Sequence, residues 1–319
     1  MAARSITRRD FLGGTVLPVT AGFAQYDADR VRRWLEAIYS TEPPTPSPHK
    51  PVPAEWNSQT ITAAWIGHST VLFNFFGTVI LADPVFSDRV GLDIGGWFTL
   101  GPKRLVAPAL PVEALPPIDL ILISHGHMDH CDIASLRKLP HSTPVIMPHG
   151  TSSVLDGLKF THVRELDWGE THEAGNIRVE SFPVTHKGSR YPWSGSGSSD
   201  NERGPGSNAY VVTGNNVTIV IVGDTAYQDR FRDLRDREIR VDLAVLPIGG
   251  YIPHHDNHCT PEEAVMMADH MQARHILPVH WGTFPGEEGP SEPIERLRKA
   301  VPEPGRIVIE EIGQTWDYK

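Results

Sequence analysis

Four side chains that can bind metals and move protons lie within six positions: His125, His127, Asp129 and His130. They directly follow the apolar run 120–124, which is typical of a short strand buried on both faces. Imidazole nitrogens and carboxylate oxygens are natural donors for zinc and related divalent ions. A single histidine at a strand end is usually a capped or solvated residue, but four such groups in one loop favour a metal site.

Three further potential ligands each follow an apolar run elsewhere in the chain. They are His186 after residues 179–184, Asp224 after residues 217–222 and His280 after residues 276–279. Because loops at strand ends cluster into clefts, we expect these side chains to meet the first four. Seven donors of this kind are enough for two metal ions and leave room for water.

The elements that must position these residues are predicted from periodicity and turn residues. Predicted strands are residues 60–66, 69–76, 78–82, 120–124, 145–147, 177–183, 209–212, 217–222, 243–247 and 275–279. Predicted helices are residues 29–40, 133–139, 228–234, 261–271 and 292–300. Thr260, Pro261 and Glu263 form a strong helix-start pattern, and Asp132 is a predicted N-cap. The strands come in hairpins and also alternate with helices, which favours sheets covered by helices.

The S-H-G-H-M-D-H run resembles the H-x-H-x-D-H signature of the metallo-β-lactamase superfamily, and the three remote ligands fall in that family's order. W-I-G-H-S-T from Trp65, G-D-T-A-Y from Gly223 and V-H-W-G-T-F from Val279 are similar to one branch of it. That branch contains N-acyl-phosphatidylethanolamine-hydrolysing phospholipase D and lactonase-type hydrolases. The resemblance spans about residues 65–284. It implies a four-layer αββα sandwich with the site at one edge of the two sheets.

The resemblance also implies a role for each site residue. His125, His127 and His186 would hold one zinc ion, Asp129, His130 and His280 a second, and Asp224 would bridge both. Asp83 matches a supporting aspartate behind the metal loop, although a turn residue before Pro84 is the alternative. His258 matches a pocket histidine that would hydrogen-bond or protonate the reacting group, although it could instead cap a loop.

We therefore expect a hydrolase that uses a hydroxide bridging two divalent ions, with zinc favoured and manganese or iron as alternatives. A phosphodiester is the expected substrate, with N-acylphosphatidylethanolamine or a related phospholipid as a candidate. Asp129 or Asp224 would pass a proton to the leaving group. The stretch Lys187-Gly188-Ser189 departs from the branch's usual Trp and Ser, so lipid specificity stays open. A lactonase or other carboxylic-ester hydrolase and a non-catalytic metal-binding protein are the alternatives.

The charge balance indicates which classes of partner to expect. The formal net charge is -10, and no basic stripe runs along the chain, so a nucleic-acid partner is not expected. A small molecule or a lipid is the expected substrate, and the metal ions would supply its positive field. The polar, glycine-rich segment 191–206 is either a surface excursion or a flap over the pocket, and the oligomeric state is not indicated.

The first residues differ from the rest. Residues 1–24 resemble a twin-arginine secretory signal, with Thr7 to Leu12 as its core, which predicts a periplasmic or secreted protein. A disordered or surface N-terminus is the alternative. Residues 25–54 are predicted to form a helical and proline-rich arm, and residues 55–319 the single hydrolase domain. No segment is long and apolar enough to span a membrane.

The chain has two cysteines, Cys131 and Cys259, each next to a residue of the candidate site. Both are therefore expected near the same cleft. In an oxidising compartment they could form a disulfide, and two buried free thiols are the alternative.

Overall fold

The computed structural model describes residues 28–94, 98–190 and 206–318. The predicted secretory signal and residues 191–205 of the glycine-rich segment lie outside the described residues and stay predictions. Backbone contacts divide the chain into two units between Thr41 and Glu42. Described by itself, the first unit carries one helix, α1 (Ala28–Tyr39). The domain boundary predicted after residue 54 also stays a prediction.

The second unit carries all fifteen strands of the described residues. The strands are β1 (Ile61–Gly67), β2 (Thr70–Phe75), β3 (Thr78–Ala82), β4 (Leu92–Ile94), β5 (Phe98–Leu100), β6 (Leu120–Leu122), β7 (Val145–Pro148), β8 (Val163–Leu166), β9 (Thr171–Ala174), β10 (Ile177–Phe182), β11 (Ala209–Gly214), β12 (Val217–Ile221), β13 (Leu243–Pro247), β14 (His275–Val279) and β15 (Thr315–Asp317). Its helices are α2 (Ile133–Leu136), α3 (Arg232–Asp236), α4 (Tyr251–His254), α5 (Pro261–His270) and α6 (Glu292–Ala300). Short 3-10 turns occupy Pro53–Glu55, Val112–Ala114 and Ser152–Leu155.

The strands form two main sheets and one small hairpin. The first sheet has the order β15-β1-β2-β3-β6-β7-β8, and the second has the order β14-β13-β12-β11-β10-β9. Strands β3, β6, β7 and β8 run parallel, as do β12, β13 and β14. The carboxyl ends of β6, β12 and β14 are where the sequence places candidate ligands.

The two sheets share one apolar core. Phe73 and Leu122 of the first sheet belong to the same buried cluster as Val245 of the second. The hydroxyl of Tyr210 in β11 donates across this core to the carbonyl of Ile123, at 2.7 Å. That hydrogen bond fixes the second sheet against the start of the histidine-rich loop.

A second buried cluster lies on the other face of the second sheet. It joins Val220 and Ala244 of that sheet to Met267 of α5 and Leu297 of α6. Helix α5 begins at the predicted capping box, in which Thr260 and Glu263 satisfy each other's backbone N–H groups. The result is the mixed α/β sandwich that the family resemblance implied.

Most predicted elements are present, with shifted ends. The Asp132 cap is confirmed, because its carboxylate accepts from the backbone of Ala134 and Ser135, but α2 ends at Leu136 rather than at residue 139. The prediction of a helix over residues 228–234 is wrong in its first half, since α3 begins only at Arg232. Strands β4, β5, β8, β9 and β15 were not predicted, because they are short and lack a clear apolar alternation.

The two cysteines do not form a disulfide. Cys131 and Cys259 are both buried and free, so the buried-thiol alternative holds. Burial raises the pKa of the Cys131 thiol to about 12, which keeps it protonated and unreactive at neutral pH. None of the helices in the described ranges combines the length and apolar character that a bilayer crossing requires.

Candidate metal centre

The histidine-rich loop leaves the end of β6 and is held tightly by its own backbone. The N–H groups of His130 and Cys131 both donate to the carbonyl of His127, at 3.1 and 2.8 Å. This compact turn places the side chains of His125 and His130 in the interior, where neither is measurably exposed. His127 and Asp129 are partly exposed and face the mouth of the site.

One group of metal-binding side chains forms on this loop and two strand ends. His125, His127, His186 and Asp224 present ligand atoms that all lie within 4.8 Å of one another. The Nδ1 atom of His127 lies 3.0 Å from Nε2 of His125 and 3.2 Å from Nε2 of His186. We call these four residues the first subsite.

A second group lies beside the first. His68, Asp129, His130 and His280 also place their ligand atoms within 4.8 Å of one another. The Oδ2 atom of Asp129 lies 3.0 Å from Nε2 of His68 and 3.4 Å from Nε2 of His280. We call these four residues the second subsite.

Asp224 belongs to the first subsite and also reaches the second. Its Oδ2 atom is 3.8 Å from Nε2 of His125 in the first subsite. The same atom is 3.1 Å from Nε2 of His130 and 3.3 Å from Nε2 of His280 in the second. Asp224 is therefore close to ligand atoms of both groups, and its role as a bridging ligand stays a prediction. Gly223 makes this turn with a φ of +67°, and a Cβ there would meet that of Ser124 at 2.4 Å, so no other residue fits.

His258 lies at the same junction. Its Nδ1 atom is 3.7 Å from Oδ2 of Asp224, and it forms a third compact group with Asp224 and His280. The side chain is only 13% exposed. The structure thus places the His258 side chain beside Asp224 and His280, and its action on the reacting group stays a prediction.

Hydrogen bonds behind the ligands orient their rings. Nδ1 of His130 donates to Oδ2 of Asp83 at 2.8 Å, and Nδ1 of His186 donates to the carbonyl of Asn257 at 2.9 Å. Such outer partners fix which ring nitrogen faces a metal. Asp83 thus contacts the Nδ1 side of His130, and its φ of 43° also makes it a turn residue. Its supporting role behind a metal stays a prediction.

Burial and charge set the protonation of the histidines. Burial lowers the pKa of His68 and of His186 to about 4 and that of His258 to about 3, so these three are neutral at pH 7. Burial also disfavours the charged form of His130, but Asp224 and Asp83 outweigh it and raise its pKa well above the usual value.

The low pKa of Asp224 shows that the site attracts positive charge. Burial alone would raise the pKa of Asp224, but His130, His280 and His258 hold it well below the usual range. Several buried atoms here make no well-aligned hydrogen bond, namely Oδ1 of Asp224, Nε2 of His130 and Nε2 of His280. Converging unpartnered donors and ionised carboxylates fit divalent cations. The residues present therefore fit the metal site that the fold family implies.

The structure brings together all the ligand residues predicted from the sequence and places two further residues, His68 and Ser124, beside them. His68 lies in the turn between β1 and β2 and had no predicted role, yet its W-I-G-H-S-T stretch is one of the motifs shared with the family. Ser124 was taken only as the end of a strand, yet its hydroxyl lies 2.7 Å from Oδ2 of Asp83 and 2.9 Å from Nδ1 of His125. A histidine inside a shared motif was the available signal for His68.

Comparison with known proteins agrees with this geometry. A family model described as a beta-lactamase superfamily domain matches residues 78–281. The N-acyl-phosphatidylethanolamine-hydrolyzing phospholipase D 1 of Caenorhabditis elegans is 31% identical over 282 residues, covering 80% of this chain and 75% of the relative. A metal-dependent hydrolase of Anaeromyxobacter sp. is 29% identical over 259 residues, covering 76% of this chain and 85% of the relative.

A solved structure supports the fold. The isothiocyanate hydrolase from Delia radicum gut bacteria superposes with a TM-score of 0.61 at 20% identity, covering 80% of this chain and 98% of that one. At that identity the likeness concerns the fold alone. Taken with the family match, the chain belongs to the metallo-β-lactamase superfamily. It is a metal-dependent hydrolase of that superfamily.

Proposed function

We propose that this protein is a di-zinc phosphodiesterase, with N-acylphosphatidylethanolamine or a related phospholipid as the leading candidate substrate. The observation that carries the proposal is the pair of adjoining four-residue subsites with Asp224 within reach of both. The similarity to a nematode phospholipase D supports the choice of a phosphodiester. Manganese and iron use the same donor types and are the alternatives to zinc.

Two ions are proposed to be held in the manner implied by the resemblance. His125, His127 and His186 would hold one ion, Asp129, His130 and His280 the other, and Asp224 both. Two divalent ions held there would polarise a phosphoryl or carbonyl oxygen and lower the pKa of bound water toward neutrality. That chemistry suits an acidic protein acting on an anionic substrate, because its positive field comes from the ions.

His258 and Asp129 have separate proposed roles. His258 is neutral at pH 7 because burial lowers its pKa to about 3. We therefore assign it a hydrogen bond from a neutral ring N–H to an oxygen of the substrate, rather than the donation of a full proton. Asp129 is ionised, since His130, His280 and His68 outweigh its burial and hold its pKa well below the usual range. A carboxylate with so low a pKa is a weak base, so we propose that Asp129 relays a proton to the leaving group only transiently and is ionised at rest.

The test is turnover of purified, zinc-loaded protein on three substrate types. These are bis(p-nitrophenyl) phosphate, N-acylphosphatidylethanolamine in mixed micelles, and a panel of lactones and carboxylic esters. We expect phosphodiester turnover, and Asp224→Ala should reduce it by more than about 100-fold, because a carboxylate serving both ions is lost. The exposed Asp256→Ala variant is the matched control and should keep full activity.

Three outcomes would contradict the proposal in different ways. Lactone turnover without phosphodiester turnover would favour the lactonase alternative. A protein that holds one ion and hydrolyses nothing would favour a non-catalytic metal-binding role. Undiminished turnover in the Asp224→Ala variant would contradict the proposal of a dinuclear site.

A further inference from the structure

The backbone of His68 is held in an unusual conformation by three hydrogen bonds. Its φ is 52°, in the left-handed region that non-glycine residues occupy at a cost. Its N–H donates to Oγ1 of Thr283 at 2.6 Å. Its carbonyl accepts from the indole of Trp65 at 2.7 Å and from the backbone of His280 at 3.1 Å. The surrounding structure therefore fixes this turn strongly.

The imidazole of His68 is held equally well. Its ring centre lies 4.3 Å from that of His280 and 5.0 Å, edge to face, from that of Phe284. Only 6% of the residue is exposed. Its Nε2 atom lies 3.0 Å from Oδ2 of Asp129. The ring thus has one orientation, and that orientation points Nε2 at Asp129.

The protonation pattern of the ring follows from these contacts. Two unprotonated lone pairs facing each other at 3.0 Å would repel, so Nε2 carries the hydrogen and donates it to Asp129. Nδ1 of His68 is buried and makes no hydrogen bond. By contrast, the Nδ1 atoms of His130 and His186 each donate to a fixed acceptor, as metal-binding histidines usually do. Nδ1 of His280 also lacks a partner, so it is the hydrogen bond from Nε2 to Asp129 that marks His68 as a donor to a ligand.

We propose that His68 is a positioning residue for the second subsite, which donates a hydrogen bond to Oδ2 of Asp129 and so holds that oxygen beside Nε2 of His130 and of His280. Because His68 and His280 are joined through their backbones, the same turn also places the ligand from β14. The inference rests on the metal centre of the proposed function but not on the identity of the substrate.

The test compares His68→Phe with His68→Gln. Phenylalanine keeps a ring between His280 and Phe284 but donates nothing, whereas the glutamine amide nitrogen reaches the place of Nε2 and restores a donor. Both variants carry the same backbone cost at φ 52°. The His255→Phe variant is the matched control, because that exposed imidazole bonds Glu263 outside both subsites.

The readout is zinc titration of the metal-free protein against a competing chromophoric chelator, which resolves the two binding steps. We expect His68→Phe to weaken the binding step that fills the second subsite by about 10–100-fold and to leave the other step unchanged. We expect His68→Gln to recover most of that loss. The absorption spectrum of the cobalt-loaded protein should be the same in His68→Gln as in the unsubstituted protein, since the metal's ligands are unchanged.

Each other result overturns the inference. Two unchanged binding steps in His68→Phe would show that the hydrogen bond does not matter. A shifted cobalt spectrum together with weak metal binding at the second subsite in His68→Gln would show that His68 is itself a ligand. If His68→Phe fails to fold, the glutamine variant alone decides. Because zinc titration needs no substrate, absence of phosphodiester turnover would refute the proposed function while leaving this result interpretable.

Discussion

The carboxylate of Asp83 orients a ligand of each subsite at once. It accepts directly from Nδ1 of His130 at 2.8 Å and from the hydroxyl of Ser124 at 2.7 Å. That hydroxyl in turn lies 2.9 Å from Nδ1 of His125. With the Ser124 hydrogen committed to Asp83, the His125 ring must donate to Ser124. Both histidines are therefore left with Nε2 as the free ligand atom.

This arrangement predicts the effect of Asp83→Asn. The amide is nearly isosteric but neutral, so it weakens the polarisation of His130 and disturbs the bond from Ser124. We expect zinc affinity or turnover to fall by about 10–100-fold, measured by the same chelator competition and by kcat. Asp119→Asn is the control, since that carboxylate bonds the backbone of Val79 at the far end of the same parallel strands. Unchanged affinity for both ions would contradict the role given to Asp83.

At the scale of elements, the sequence predicted those parts of the site that follow a strong strand pattern. The residues after β6, β12 and β14 were found because continuous apolar runs lead directly to a ligand. His68 was missed because it lies in the tight turn between β1 and β2, where a single histidine looks like any other turn residue. The short edge strands β9 and β15 were missed because they have only four and three residues, none of them buried, so no apolar run marks them.

Helix α5 gives a prediction at this scale. Its capping box joins the hydroxyl of Thr260 to the N–H of Glu263 and the carboxylate of Glu263 to the N–H of Thr260, at 3.3 and 2.8 Å. We expect Thr260→Ala to reduce the free energy of unfolding by about 1 kcal/mol, measured by urea denaturation of the zinc-loaded protein. Thr260→Ser keeps the hydroxyl and should be nearly neutral. Equal losses in the two variants would mean that the methyl group, not the cap, stabilises this helix start.

At the scale of the whole molecule, the buried histidines link stability to pH in the metal-free protein. His68, His186 and His258 have folded-state pKa values of about 4, 4 and 3, below the ordinary value of about 6.5. As the pH falls below 6.5, the unfolded chain binds protons that the folded chain does not bind. The free energy of unfolding therefore decreases toward pH 4. His130 and His280 have raised pKa values, so their contribution is complete below 6.5 and is lost at higher pH.

We therefore expect the metal-free protein to be most stable near pH 6.5. Thermal unfolding from pH 4.5 to 9 measures this, and the zinc-loaded protein is the reference. In the His258→Asn variant, the free energy of unfolding should depend less on pH below 6.5, by the contribution of about one proton. Stability that keeps rising as the pH falls to 5 would contradict the buried, neutral state of these histidines.

Strand β15 sets a condition on how the molecule is made. Residues 315–317 pair with Thr62, Ala63 and Ala64 of β1, and the hydroxyl of Tyr318 donates to Asp242 at 2.9 Å. Until the ribosome has released residue 317, the outer edge of β1 has no partner, and such an edge invites pairing with other chains. Since β1 leads directly to the turn at His68, the border of the sheet from which that turn emerges is complete only after residues 315–317 have been made.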